Sequence, residues 1–270
     1  MNESEVFMMR ALWSAAAGMN VQQMNMDTIS NNLANVNTTG YKTARAQFQD
    51  LLYQTVNLAG TSSSSSTTIP SGIQMGHGAK LQSLQHQYST GNLNQTGNQF
   101  DMAIQGDGFF KVTMPDGTPA YTRDGSFTTD QNGALVNSTG ALLNPQITIP
   151  QDTLSVTIAA DGTVSVTQAG QTQPQSVGQV TLSHFVNPTG LNQLGNNLLQ
   201  PTLASGDAID GVPGTNGLGT IAQGSLEVSN VDVATEMVNM IIGQRAYEAN
   251  SKTIQTVDTM LSLVNNLKRS

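Results

Sequence analysis

Apolar residues at the start of the chain recur with helical spacing. From about Met8 to Val36, Leu12, Met19, Met26 and Leu33 repeat every seven residues, Ala15, Ile29 and Val36 stand three further on, and Gln22 is the one polar member of the series. Alternating steps of three and four line such side chains along one seam of an α-helix. A helix of about 28 residues is on the order of 42 Å long. It should stop at Asn35-Val36-Asn37-Thr38-Thr39-Gly40, because Asn and Gly readily take the left-handed conformation that ends helices.

The end of the chain mirrors the beginning. From about Val231 to Leu267, the series Val233, Met240, Tyr247, Ile254 and Leu261 repeats at seven and is joined by Val257 and Val264. Ser229 to Asp232 reads as its N-terminal capping region. Gly243 and Asn250 fall on the same seam, where they favour close backbone approach or a polar contact. Met237, Ile241, Met260 and Leu267 lie beside the seam and widen it. A stripe this wide exceeds what one partner helix covers. The spacing marks Leu12, Met19, Met26, Ile29, Leu33, Val36, Met240, Tyr247, Ile254, Val257, Leu261 and Val264 as packing positions, either in an intramolecular two-helix hairpin that packs its own stripe or, as the width of the stripe favours, between subunits. The five methionines Met8, Met9, Met19, Met24 and Met26 suit that role, because a thioether adapts to differently placed neighbours.

Between these helices the period changes to two. Residues from about Gln82 to Gln223 are rich in Thr, Val, Gly and Asn. Phe109 to Thr113, Asp116-Gly117 and Ala120 to Arg123 read as a hairpin; Asp124-Gly125, Ser126 to Thr128, Asn132-Gly133 and Ala134 to Val136 continue the pattern. Leu154 to Ala159, Asp161-Gly162 and Thr163 to Thr167 repeat it. The expected fold class is α+β: long N- and C-terminal helices pairing as a coiled-coil-like domain, with an inserted all-β domain rich in hairpins. The expected division is 1–47 for the first helix of a discontinuous helical domain, 48–78 for a connector, 79–225 for the β domain and 226–270 for the second helix. The connector includes Ser62 to Ser66, and this low-complexity composition predicts a flexible segment in a single molecule.

Composition narrows the function. Only 10% of the 270 residues are charged, and 10 Lys+Arg against 18 Asp+Glu leave a net charge of −8. No cationic side chain stands between Arg123 and Arg245. Nucleic-acid binding needs a basic stripe that this chain lacks, and anionic membrane surfaces are disfavoured for the same reason. No apolar run approaches the roughly 20 residues of a membrane span. Zero cysteines exclude disulfides and thiolate metal sites. Glu3 and Glu5 stand where a signal peptide carries positive charge, so no cleaved signal is expected.

Candidate catalytic chemistry is sparse. His77, His86 and His184 are scattered without metal-ligand spacing. Gly214, Gly217 and Gly219 follow Pro213 with no helix after them, which does not make a dinucleotide turn. Asp101 and Asp107 could serve as a hydrolytic carboxylate pair, but turn chemistry explains Asp107 equally well. Asp130-x-Asn132-Gly133 lacks the distal glutamate of a calcium loop and reads as a hairpin turn. The expectation is no enzyme, no metal and no cofactor.

Two segments carry a resemblance. Ile29-Ser30-Asn31-Asn32-Leu33-Ala34-Asn35-Val36-Asn37-Thr38-Thr39-Gly40-Tyr41-Lys42 closely resembles the N-terminal motif of bacterial flagellar rod and hook proteins. Ser229-Asn230-Val231-Asp232, with Glu236-Met237 and Gln244-Arg245-Ala246-Tyr247-Glu248-Ala249-Asn250 running on to Thr259-Met260-Leu261, resembles that family's C-terminal motif. Asn31, Asn32, Leu33, Asn35, Asn37, Gly40, Tyr41, Gln244, Arg245, Tyr247 and Asn250 are its signature positions. Phe48 to Thr55, Ile69 to Gly76 and Ala120 to Phe127 look like the members that build the distal part of the rod. Two departures are Met1 to Met8, which precede the family's usual start near Met9, and the polyserine run.

The resemblance implies a structural subunit of the flagellar basal body. Copies would polymerise into a helical tube, the distal rod, that transmits motor torque to the hook and conducts exported subunits. Implied partners are further copies of the chain, proximal rod and hook proteins, the P and L bushing rings where an outer membrane is present, and the export apparatus with its capping protein. The implied location is the basal body between periplasm and outer membrane, reached by flagellar export. A proximal rod protein of the same family is the near alternative; a surface adhesin and a peptidoglycan hydrolase are the alternatives from other classes.

Overall fold

A computed structural model describes residues 3–58, 62–64, 67–68, 71–171 and 173–267. Met1 and Asn2 of the expected extension, Ser65 and Ser66 of the polyserine run, and the side chain of Leu267 lie outside the described residues. The architecture is the expected α+β one. Helix α1 spans Glu3–Ala34, helix α2 spans Val233–Leu267, and a β-rich region of hairpins separates them. The chain divides into two compact units. One holds Met1–Leu33, Ala44–Gln85 and Val233–Ser270; the other holds Ala34–Thr43 and His86–Asp232.

In the helical unit, α1 and α2 run antiparallel. Asn32 of α1 meets Glu236 of α2, Met26 and Gln22 stand over Gly243, and Gly18 faces Asn250. Numbers that rise along one helix fall along the other. Along α2, Glu236 and Val257 are buried and Met240, Asn250, Ile254, Leu261 and Val264 are half-buried, with Glu236 and Asn250 in contact with α1. That is the heptad seam, but it follows the Gly243 and Asn250 branch. Val233 and Tyr247, placed on the seam by spacing, are exposed instead. At Gly243 the helices approach closely, a Cβ there coming within 3.2 Å of Met26 Cγ. A methyl on Gly18 would stand only 2.8 Å from Asn250 Nδ2.

The rest of this unit is a two-stranded ribbon. Ala44–Asp50 pairs with Ala79–His86, Tyr53–Asn57 with Ile73–Gly76, and Ser62–Ser64 with Thr67–Thr68. The described parts of the expected connector are thus paired strands. Thr, Val, Tyr and Ile on either side of the serines fit a pleated backbone, a preference that the serine-rich composition conceals. The ribbon returns to α1 at Gly78, where a methyl would come within 2.9 Å of Ala17 Cβ.

The β unit is built around the strand Phe109–Thr113. It pairs with Pro119–Thr122 across the Asp116-Gly117 turn, with Leu142–Leu143, and with Leu182–His184, within a nine-stranded sheet. Thr153–Ile158, Thr163–Gln168 and Gln175–Gln179 form a separate three-stranded sheet, turning first at Asp161-Gly162. Phe110, Phe127, Met102, Ile104, Leu135, Leu143, Ile147 and Leu182 fill the main core. A second cluster stacks Phe109, Tyr121 and Phe185 edge to face, with Tyr88 against Phe109. The β unit buries its own apolar surface.

One expected turn is something else. Asp124-Gly125 does not join two paired strands; Phe127–Thr129 pairs with Leu135–Asn137 across Asn132-Gly133. Asp124 Oδ1 instead accepts from the Ser126 amide at 3.0 Å, and the Gly125 carbonyl accepts from the Met102 amide at 3.0 Å. A Cβ at Gly125 would fall 1.5 Å from the Met102 carbonyl oxygen. Gly125→Ala should therefore cost more than ~3 kcal/mol in chemical denaturation of the β unit, above the usual range for overpacking. Burial pushes the Tyr88 phenol up to about 12. The unfolded chain ionises a tyrosine near 10, so the folded state holds this proton more tightly. That stabilisation is complete below about pH 10 and is lost between about 10 and 12. Burial raises the Tyr121 phenol as well, so spectrophotometric titration should show late tyrosines of which Tyr88→Phe removes one, and that substitution should lessen the fall in stability across the window.

Candidate functional site

Two places gather the residues marked by the sequence: the apolar faces of the helical pair, and a polar clasp in the β unit. In the helical pair, the seam does part of the burial. Of the twelve positions marked for packing, Ile29 and Val257 are buried, Tyr247 is exposed, and the other nine are half-buried. Much larger apolar surface stands outside the seam. Trp13 is 70% exposed, Ile242 60% and Leu263 61%; Met9, Met24, Met237, Val238, Ile241 and Met260 are exposed as well. Met237, Val238, Ile241 and Ile242 are neighbours on consecutive turns, so the first half of α2 is apolar over most of its circumference.

Asn32 organises the end of α1. Its amide donates to the Ala44 carbonyl at 2.8 Å and to Glu236 Oε1 at 3.2 Å, and its Oδ1 accepts from the Ala44 amide at 2.9 Å. One buried side chain thus joins the helix, the start of the ribbon and the first turn of α2. The other signature asparagines differ: Asn31 and Asn37 are exposed, and Asn35 closes the helix-end turn, accepting from the Thr38 amide and hydroxyl at 3.1 Å each. On α2, Gln244, Arg245 and Tyr247 are exposed and Asn250 is half-buried in the seam. Leu33 and Tyr41 are half-buried.

The clasp begins at Gly40. Its φ is +67°, its amide donates to the Glu227 carbonyl at 2.9 Å, and a Cβ there would meet the Arg123 and Asp124 backbone at 2.7 Å. Thr39 donates to Asp124 Oδ1 at 3.0 Å. Lys42 reaches inward and donates to Glu227 Oε1 at 2.5 Å and to the Ser89 carbonyl at 2.7 Å. The Gly91 amide donates to the same carboxylate oxygen at 2.8 Å. The Arg123 Nε lies 3.7 Å from Glu227 Oε2, its Nη2 donates to the Gly106 carbonyl at 2.8 Å, and its guanidinium lies over the Phe109 ring. Thr43 gives both its amide and its hydroxyl to Asn230 Oδ1, at 2.8 and 2.7 Å. Asn230 in turn donates to the Gln87 carbonyl at 2.9 Å. The N-terminal motif and the Ser229-Asn230 motif, almost two hundred positions apart in sequence, are stitched to each other.

Lys42, Arg123 and Glu227 are all buried, and they carry two positive charges and one negative. Burial lowers the Lys42 pKa below the ordinary lysine value, and the Arg123 charge adds to this against the opposing pull of Glu227. Sequence reasoning placed Lys42 and Arg123 within motifs but missed their convergence on Glu227. Their rarity was the available signal, since they and Lys111 are the only Lys or Arg residues within 34–43 and 86–232, the segments of the β unit. Lys111 bonds Asp210 on the surface at 2.6 Å.

The catalytic alternatives find no support in geometry. Asp101 is buried and fully engaged, accepting from Thr96 at 2.5 Å and Asn98 at 3.0 Å, while Asp107 is exposed. Asp130 caps its own turn through the Asn132 and Ala134 amides. Among the described residues, no three His, Cys, Asp or Glu side chains are grouped as a metal site, and no helix is long and apolar enough to cross a membrane.

Both stitched motifs and the domain between them have counterparts in known proteins. Residues 12–42 match the flagella basal body rod protein family, residues 103–166 the flagellar hook protein FlgE/F/G D1 domain, and residues 222–267 the flagellar basal body rod FlgEFG protein C-terminal family. The chain is 52% identical over 264 residues to the flagellar basal-body rod protein FlgG of Borreliella burgdorferi, covering 97% of this chain and 100% of that one. It is 54% identical to FlgG of Buchnera aphidicola subsp. Schizaphis graminum (96% and 100% covered) and 40% identical to FlgG of Bacillus subtilis (97% and 100%). The chain belongs to the FlgG family of flagellar basal-body rod proteins. This is a family of structural flagellar rod proteins, not of enzymes.

The charge count in the clasp makes a direct prediction. Glu227→Gln leaves two buried cations without a counter-ion, whereas Lys42→Met leaves one cation facing one carboxylate. Breaking a buried pair in the first way costs ~3–5 kcal/mol. Denaturant unfolding should therefore show Glu227→Gln as clearly the more destabilising of the two, and a reversed order would contradict this charge assignment.

Proposed function

We propose that this chain is a subunit of the distal rod of the flagellar basal body, polymerising helically into a hollow shaft that carries torque to the hook and conducts exported subunits. The observation that carries this reading is the apolar surface of α1 and α2 outside their mutual seam. In a single molecule it faces water; in a tube, α1 and α2 of neighbouring copies cover it. Fully burying one isoleucine contributes about 1.5–3 kcal/mol, so the cluster at Met237, Val238, Ile241 and Ile242 suffices to drive association. The twelve seam and near-seam positions, with Trp13 and Leu263, form the packing set in this arrangement. Its partners are further copies of the chain, the proximal rod and hook proteins at its two ends, the P and L rings where an outer membrane is present, and the export apparatus with its capping protein.

The helices are marginal as isolated elements in water. Docking on the growing end therefore stabilises them, which couples helix formation to polymerisation and keeps the chain unfolded enough for export. The β unit, with its own core and clasp, folds independently of that step and forms the outer wall. Its sparse charge suits rotation within a collar in the periplasm.

Ile241→Lys with Ile242→Lys should abolish polymerisation and motility while leaving the β-unit unfolding transition unchanged. Envelope images of cells carrying only this variant should show rods that end short of the hook. Full-length rods with normal hooks would overturn the proposal.

A further inference from the structure

The three-stranded sheet has an edge that invites another strand. Its outer strand, Thr153–Ile158, reads Thr-Leu-Ser-Val-Thr-Ile: uncharged, free of proline, and rich in β-branched residues. A segment of this composition with open N–H and C=O groups templates edge-to-edge pairing. On its inner side it pairs with Thr163–Gln168. On its outer side, two glutamine side chains occupy the place of a neighbouring strand. The Val156 amide donates to Gln99 Oε1 at 3.0 Å, and the Ile158 amide donates to Gln223 Oε1 at 3.0 Å. Gln223 Nε2 donates back to the Val156 carbonyl at 2.9 Å and to the Gln99 carbonyl at 2.8 Å. A primary amide carries the same donor and acceptor as a peptide group. Gln223 therefore accepts from one residue and donates to the residue two before it, as a backbone peptide of a paired strand does.

We infer that Gln99 and Gln223 seal this edge, so that the β unit does not add a strand from a second copy. Leu154, exposed on the same strand, shows how apolar that edge is without the seal. The far edge, Gln175–Gln179, is blunted differently, by Pro174 before it and Gly178 within it. Sealing one edge leaves the helices as the route of self-association, a consequence that rests on the proposed function; the seal itself does not.

The test uses the full chain and compares Gln223→Leu, Gln99→Leu and Gln223→Leu with Leu154→Lys. Losing one of these hydrogen bonds should speed amide exchange roughly tenfold. In dilute solution, Gln223→Leu should speed exchange at Ile158, and Gln99→Leu at Val156. At higher concentration, Gln223→Leu should associate with the infrared signature of intermolecular β-sheet. Adding Leu154→Lys should suppress that association while exchange stays fast, because a charge guards an open edge. Unchanged exchange at both amides would overturn the inference, and so would a sheet signature no greater than that of the unsubstituted chain or one undiminished by the lysine. Association through the helices, which the proposed function predicts, adds no intermolecular sheet, so failure of that reading would not alter these readouts.

Discussion

The helical pair cannot cover its own apolar surface, and most of the molecule's organisation follows from that constraint. Two helices of 32 and 35 residues lie against each other along one heptad seam. Each carries more apolar positions than a single seam uses. Trp13 and Met24 on α1, and Met237, Val238, Ile241 and Ile242 on α2, are left facing water. The β unit shows the opposite balance, with Phe110, Phe127, Met102 and Leu182 fully enclosed. One unit encloses its apolar surface and the other leaves much of it exposed. Under the proposed function, that exposed surface is what neighbouring copies cover.

The clasp explains why the two sequence motifs stand at opposite ends of the chain. Gly40, Lys42 and Thr43 follow α1; Glu227 and Asn230 precede α2; the bonds among them draw both segments onto the β unit. A buried ionic cluster is an expensive way to hold a fold, since apolar replacements are often as stable. Its advantage is geometric. A carboxylate that accepts from Lys42 and the Gly91 amide while facing Arg123 tolerates one arrangement only, whereas an apolar contact tolerates several.

Much of this was legible in the sequence. Heptads gave both helices to within a few residues, and Asp-Gly or Asn-Gly pairs gave the hairpins at Gly117, Gly133 and Gly162. What escaped has physical causes. Tyr247 shares its spacing with the seam, but periodicity does not say which of two adjacent stripes a glycine such as Gly243 will pull inward. The strands flanking the serine run were concealed by average composition. Gly125 follows an aspartate as hairpin glycines do, yet serves close approach of the Met102 backbone, a long-range contact with no local signature. The convergence of Lys42, Arg123 and Glu227, like the sealing of Val156 and Ile158 by glutamines, joins residues far apart in the chain, and pairings of that kind are invisible to any local pattern.

The most direct measurement of the central claim is residue-resolved hydrogen exchange on dilute single molecules and on polymerised tubes. In single molecules, amides of α1 and α2 should exchange far faster than those of Phe110, Val112 and Leu182 in the β core, and polymerisation should slow the helix amides while leaving the core amides unchanged. Helices in the lone molecule protected as strongly as the β core, with no further slowing in the tube, would contradict the account.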